Sequence, residues 1–206
     1  MRHIGKGDIL YLYNIIALHA GRKKYIGGTM AAAKLRPLCM GDLDNIMQWL
    51  NNPEIVSHIQ AFKLPISRDT EKAHLEKIIA STSDKVFSIE TEEGIYIGQI
   101  GIHQIHWPSR IGRLGLIIGK KEYQGRGYGQ GAVKEASKFA FESLGLNKLW
   151  LMVYATNERG LHMYDKCGFQ REGVLRQEYF HQGKFHDMVR MAFLAENYFA
   201  GKAGKE

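Results

Sequence analysis

Cysteine and proline are scarce in this chain, with two and four among 206 residues. The two thiols, Cys39 and Cys167, stand far apart and belong to no motif. That excludes a disulfide-stapled secreted domain and fits a reduced, cytoplasmic setting. Nine histidines are present, yet no His/Cys cluster has zinc-ligand spacing, so no metal centre is expected. His103 and His106 lie three apart on a strand-like stretch, which turns them to opposite faces. Long apolar runs are missing too. ILYLYNIIALHA has twelve residues, whereas a spanning helix needs about 20, so no membrane partner is expected. Asp and Glu are outnumbered, 21 against 28 Lys and Arg, for a formal charge of +7. Residues 1–29 hold five Lys/Arg against one Asp and so carry +4 of that excess. The remainder is no nucleic-acid footprint, but it is compatible with an anionic ligand.

What is present is an ordinary soluble balance, 45% hydrophobic and 24% charged residues, enough for one domain with an extension. Residues 1–29 form the extension. A membrane-touching arm, a disordered leader and translated sequence upstream of the true start are its three readings, the last two favoured. Met30 stands just before regular patterning begins. The domain is expected over 30–200, uninterrupted by repeats or linkers, with 201–206 as a flexible tail.

Periodicity alternates along the domain. AKLRPL reads as a short strand. Asp42 is placed to cap a helix to about Leu50, with Leu43, Ile46, Met47 and Leu50 on one face. Asn51, Asn52 and Pro53 end it. Ser67 caps a second helix to Ala80. KVFSIE, IYIGQIGIHQIHW and RLGLIIG read as strands, the last two joined by a turn at Pro108–Ser109. A helix follows from Tyr128 to Leu144, striped with Val133, Ala136, Ala140 and Leu144 and stopped by Gly145. KLWLMVYA is nearly all apolar, as a central strand is. A helix over Glu158–Cys167, ended by Gly168, precedes a closing hairpin of VLRQEYF and KFHDMVRMAFL. This order argues a mixed α/β sheet.

YQGRGYGQ, residues 123–130, places three glycines between a strand and a helix. Such a loop can aim backbone N–H groups and a helix N-terminus at a phosphate, and glycines allow close approach. A Walker loop is excluded, because Gly127 is followed by Tyr128 and Gly129 rather than Lys-Ser/Thr. Gly127-x-Gly129-x-x-Ala132 has dinucleotide-binding spacing, but it follows a meander and no acidic residue closes the next strand. A plain flexible helix entry remains open. Downstream, Asn157 sits where strand passes to helix, and Tyr164 lies two turns on along the same face.

YQGRGYG resembles the Q/R-x-x-G-x-G/A loop of the GNAT N-acetyltransferases, and Asn157, Tyr164, Lys166, Gly168 and Phe169 are similar to that family's second motif. The likeness runs from about Lys34 to Tyr198 and is nearest to the RimJ/RimL-like branch, related to spermidine and amino-sugar-nucleotide acetyltransferases. It implies an α/β (α+β) GNAT fold: a mixed, mostly antiparallel central sheet with a splayed strand pair, flanked by helices. It implies acetyl-CoA as cosubstrate and direct transfer of acetyl to a primary amine. Cofactor contacts would come from Ile117, Ile118, Gln124, Gly125, Arg126, Gly127, Tyr128, Gly129 and Asn157. The pyrophosphate would lie on the amides of Gln124–Gly129, and the pantetheine along the strand ending in Ile117 and Ile118. An N–H near Ile118 would stabilise the oxyanion. Tyr164 would be the catalytic general acid, a role that suits a phenol still protonated at neutral pH. Lys166 reads as a helix-end charge. Cys167 lacks a paired histidine and is a poor nucleophile. Homodimers are frequent among such relatives.

His103, Gln104 and His106 lie on the strand facing the expected acceptor and are candidates for the base, as is a water chain. Spermidine acetyltransferases carry glutamates on the equivalent strands, where this chain has Gly101, Gln104 and Arg113. Polyamines and aminoglycosides therefore rank below protein N-termini and small amines such as amino-sugar nucleotides, whose phosphates would suit Arg113 or Lys121. A non-catalytic acyl-CoA sensor is the alternative from a different class.

Overall fold

The computed structural model describes residues 33–56 and 65–203. The leader lies outside them. The described residues form one seven-stranded sheet in the order β1-β2-β3-β4-β5-β7-β6. The strands are β1 (Lys34–Pro37), β2 (Lys85–Glu90), β3 (Tyr96–His106), β4 (Ile111–Ile118), β5 (Lys148–Tyr154), β6 (Gln170–His181) and β7 (Lys184–Leu194). All neighbours run antiparallel except β4 and β5. The expected mixed, mostly antiparallel architecture is present, and the apolar KLWLMVY is an interior strand.

The helices are α1 (Leu43–Leu50), α2 (Pro53–Val56), α3 (Arg68–Ile79), α4 (Tyr128–Lys138), α5 (Glu158–Lys166) and α6 (Ala195–Ala203). Ser67 caps α3, its Oγ accepting from the Thr70 amide at 3.2 Å. Asp42 does not cap α1 with its side chain. Its carboxylate instead accepts from the Cys39 amide, the Arg36 guanidinium and Ser88 Oγ, tying β1 and β2 to the turn before α1. Asp42 is itself buried, and the partly exposed Arg36 guanidinium and the Cys39 amide claim its oxygens before the helix amides can. The α1 stripe also includes Trp49, which is buried. Residues 195–203 form α6, so the expected tail from 201 begins inside a helix.

Two layers cover the sheet. Ala132, Val133 and Ala136 of α4 join Ile100, Ile102, Leu114, Leu116 and Ile118 in the main core. Alternation along the strands turns Gly101, His103, Arg113 and Ile117 to the other face. There Ile117 packs with Trp49, Ile55 and Tyr96, and Val86 packs with Leu43, Ile46 and Leu75 of α1 and α3. The helical stripe of α4 continues through a π-helical turn at Phe139–Ser143 to Gly145, whose φ of +62° ends it.

The β4/β5 pair determines where a ligand can enter. Pairing is confined to Ile111–Arg113 against Lys148–Trp150. Beyond that rung the β4/β5 register ends, while the β3/β4 register runs on to Ile118. One edge of β4 therefore carries backbone groups outside its register with β5.

Candidate active site

The glycine loop lies where β4 leaves the sheet and α4 begins. Gly125 and Gly127 have φ of +76° and +94°, a region L side chains rarely adopt. Gly127 is the N-terminal cap residue of α4 and offers no side chain, so the first amides of the helix are left to point outward. Gln124 closes the loop from within, donating Nε2 to the Ile118 carbonyl at 2.8 Å.

A cavity of about 270 Å³ opens at this loop, lined by Ile118, Gly125, Gly127 and Gly129 on one side and Arg159, His162 and Lys166 of α5 on another. The size suits part of an extended ligand. Of the expected contact residues, Ile118 and the three glycines line it. Gln124 holds the loop, and Ile117 turns its side chain to the Trp49 cluster. Arg126 stacks over Tyr123, its guanidinium 5.6 Å from the ring centre, and Tyr128 meets the same ring edge-on. These flanking residues brace the loop and leave the approach to bare amides.

Lys166 is the expected helix-end charge, exposed in the last turn of α5, and it also lines the cavity. Arg159 was not singled out from the sequence. Its Nη2 would lie 2.4 Å from a Cβ on Gly125, so the guanidinium sits directly over the loop. The missed signal is periodic. Arg159, His162 and Lys166 recur at three and four residues, a stripe of nitrogen-bearing side chains on the helix entered at Asn157.

Asn157 caps α5, its Oδ1 accepting from the Gly160 amide at 2.9 Å. Tyr164 is 1% exposed and meets Phe169 edge-on, with ring centres 5.6 Å apart. Burial, reinforced by nearby Cys167, pushes its hydroxyl well above the ordinary phenol range. Such a hydroxyl is protonated across the physiological range, the state a proton donor needs. Burial likewise pushes the Cys167 thiol up to about 11, which makes it a poor nucleophile.

The opposite sheet face carries a second polar group. His103 and Arg113 face each other across the β3–β4 rung, and both are buried. His103 Nδ1 lies 3.2 Å from Asp84 Oδ1. A β-bulge follows, with Gln104 at φ +51°, and His106 beyond it is exposed and bonded to Ser109. Arg113 is 2% exposed and so is no open cation for an acceptor's phosphates, and Lys121 is paired with Glu54 at 2.7 Å.

Residues 33–170 match the profile of a family described as acetyltransferase (GNAT) domain. Spermidine N(1)-acetyltransferase of Escherichia coli strain K12 is 34% identical over 170 residues, which span 82% of this chain and 89% of that protein. The enzyme of the same name from Vibrio cholerae is 32% identical over 80% of this chain and 94% of its own length. A crystal structure of spermidine N-acetyltransferase from Vibrio cholerae, in complex with CoA and spermine, superposes with a TM-score of 0.77 at 30% identity. That superposition covers 81% of this chain and 98% of the other.

Proposed function

The chain belongs to the GNAT acetyltransferase family and is an N-acetyltransferase, and from that premise we propose that it moves acetyl from acetyl-CoA directly to a polyamine-type primary amine. The observation that carries the donor half is the cavity joining the bare amides of Gly125–Gly129 to the cations of α5, beyond the end of the β4/β5 register. When bound, acetyl-CoA supplies an activated acyl group with a thiolate leaving group.

The chain's own residues supply the rest. Amides at the start of α4, with Arg159 and Lys166, hold the phosphates. The edge of β4 beyond its register with β5 takes the pantetheine as a further strand would be taken. Asn157 fixes the start of α5, and so the position of Tyr164 two turns later. Tyr164 donates the proton that the departing sulfur needs. Cys167, with its raised pKa, takes no part, in keeping with transfer in one step.

For the acceptor, Arg113 and Lys121 favour a phosphate-bearing amine from the sequence, but Arg113 is buried, which leaves only the exposed Lys121, already paired with Glu54, for such a phosphate. The spermidine-acetylating relatives favour a cationic amine instead. We place polyamines first and protein N-termini second. The thiols are reduced and the reaction is intracellular in this reading. Thiol release from acetyl-CoA, measured over spermidine, amino-sugar nucleotides and N-terminal peptides, tests the acceptor. Turnover highest with spermidine is expected; preference for a nucleotide-linked amine or a peptide would overturn the assignment.

A further inference from the structure

An amine acceptor arrives protonated, so the reaction needs a base as well as the acid Tyr164. We propose that His103, oriented by Asp84, is the general base that takes the ammonium proton through a bridging water. This rests on the acetyl-transfer reading above.

Three geometric observations carry it. First, the pair is built. Asp84 Oδ1 accepts from His103 Nδ1 at 3.2 Å and from the Gln104 amide at 3.2 Å, and Oδ2 accepts from Ser81 Oγ at 2.7 Å. A carboxylate on Nδ1 selects the tautomer that presents the Nε2 lone pair. Second, Nε2 is directed along β3 toward the Gly101–Gly115 rung, because a Cβ on Gly101 would come within 2.4 Å of it. Glycine at 101 makes room for the ring. Third, the location is right. His103 pairs with Arg113, and Arg113 pairs with Trp150 in the last β4/β5 rung, so the rung toward which Nε2 points lies two residues further along β4, where its register with β5 has ended. The bulge after His103 is a common device for aiming a side chain beside an active site.

The electrostatics agree. Asp84 faces the imidazole from the loop before β2, Arg113 from β4 and His74 from α3. Burial lowers the His103 pKa, the Asp84 bond opposes this, Arg113 adds to it, and the net direction is down. Burial would raise the Asp84 carboxyl, but bonds from His103, Ser81 and Gln104 outweigh it and hold it below the ordinary range. Burial also pushes His74 down to about 4. At neutral pH the imidazole is therefore unprotonated, as a base must be.

The protons balance. One of the ammonium's three passes to Nε2 and on to solvent. The amine nitrogen then bonds the acetyl carbon as the carbon–sulfur bond breaks. Tyr164 protonates the sulfur, the second ammonium proton restores Tyr164 through solvent, and the third remains as the amide N–H.

The test uses His103→Asn, whose amide keeps the Nδ1 contact with Asp84 and lacks Nε2, and Asp84→Asn. Turnover is followed against pH with spermidine, alongside CoA affinity by calorimetry and imidazole titration by NMR of the free protein. His103→Asn should bind CoA as wild type does and lose on the order of 10²-fold in kcat/KM at neutral pH. The deficit should narrow as pH approaches the amine's own pKa. Wild-type NMR should show the Nδ1–H tautomer and a pKa below 6.5, the ordinary value. A wild-type pH profile in His103→Asn, or a loss equal at every pH with weakened CoA binding, would overturn the proposal. So would failure of Asp84→Asn to alter the tautomer or the rate. A wild-type protein that acetylates no amine would instead count against the function itself.

Discussion

Arg159 and Gly125 are fitted to each other: a Cβ added at Gly125 would come within 2.4 Å of the Arg159 guanidinium. The loop's positive φ and the cation above it form one feature, a concave anion site closed by a side chain from the next helix. Replacing Arg159 with Gln should raise KM for acetyl-CoA about tenfold or more and leave kcat near wild type, as losing a charge-assisted bond does. Gly125→Ala should do the same by displacing the guanidinium and straining the loop. Steady-state kinetics varied in acetyl-CoA separate KM from kcat. Unchanged KM in both variants would remove Arg159 from the site.

Tyr164→Phe keeps the ring packed on Phe169 and removes only the hydroxyl. Its melting temperature and CoA affinity should match wild type, while kcat falls about 10²-fold. Stopped-flow thiol release checks this. An equal rate in the variant would mean that the sulfur obtains its proton elsewhere.

Trp49 lies flat against Gly119 at the end of β4, where an added Cβ would fall 1.9 Å from Cδ2 of the indole. Gly119→Ala should destabilise the fold by about 1–3 kcal/mol, the usual range for forced overpacking. Gly173→Ala is the control, because nothing lies within 4 Å of a Cβ there. Denaturant titration distinguishes them, and equal midpoints would contradict the contact.

Asp42 carries a pH dependence. Burial would raise its carboxyl, but bonds from Arg36, Ser88 and the Cys39 amide outweigh that and the net shift is down. A lowered folded pKa contributes stability above the unfolded carboxylate value, about 3.9, and loses it as pH falls through the folded value. Asp42→Asn should cost about 1–3 kcal/mol at pH 7, less than a fully buried pair because Arg36 is partly exposed. The gap from wild type should close in acid. Thermal melts at several pH values read it, and a gap independent of pH would assign the loss to packing.

Most elements of the fold were legible because each has a clean period and a marked end. Ser67 and Gly145 fixed helix boundaries, and the uniform apolarity of Leu149–Tyr154 identified an interior strand. Asp42 misled because a capping residue and a buried ion-pair partner look alike until Arg36 is known to fold back on it. In the site, the glycines and Tyr164 were legible from type and spacing. Arg159 and Lys166 were not, since a cation on a helix reads as solvated until the facing loop is known. His103 could be named but not separated from His106. Only the bulge at Gln104 and the position of Asp84, nineteen residues earlier in the chain, make one a buried pair and the other a surface ring.

The central claim is turnover, not merely cofactor binding. It is tested most directly by mass spectrometry of spermidine incubated with acetyl-CoA and the wild-type chain, with Tyr164→Phe in parallel. The account predicts acetylspermidine and free CoA in equal amounts from wild type, and formation about 10²-fold slower in the variant. Tight CoA binding by wild type with no acetylated amine formed would contradict it and leave an acyl-CoA sensor in its place.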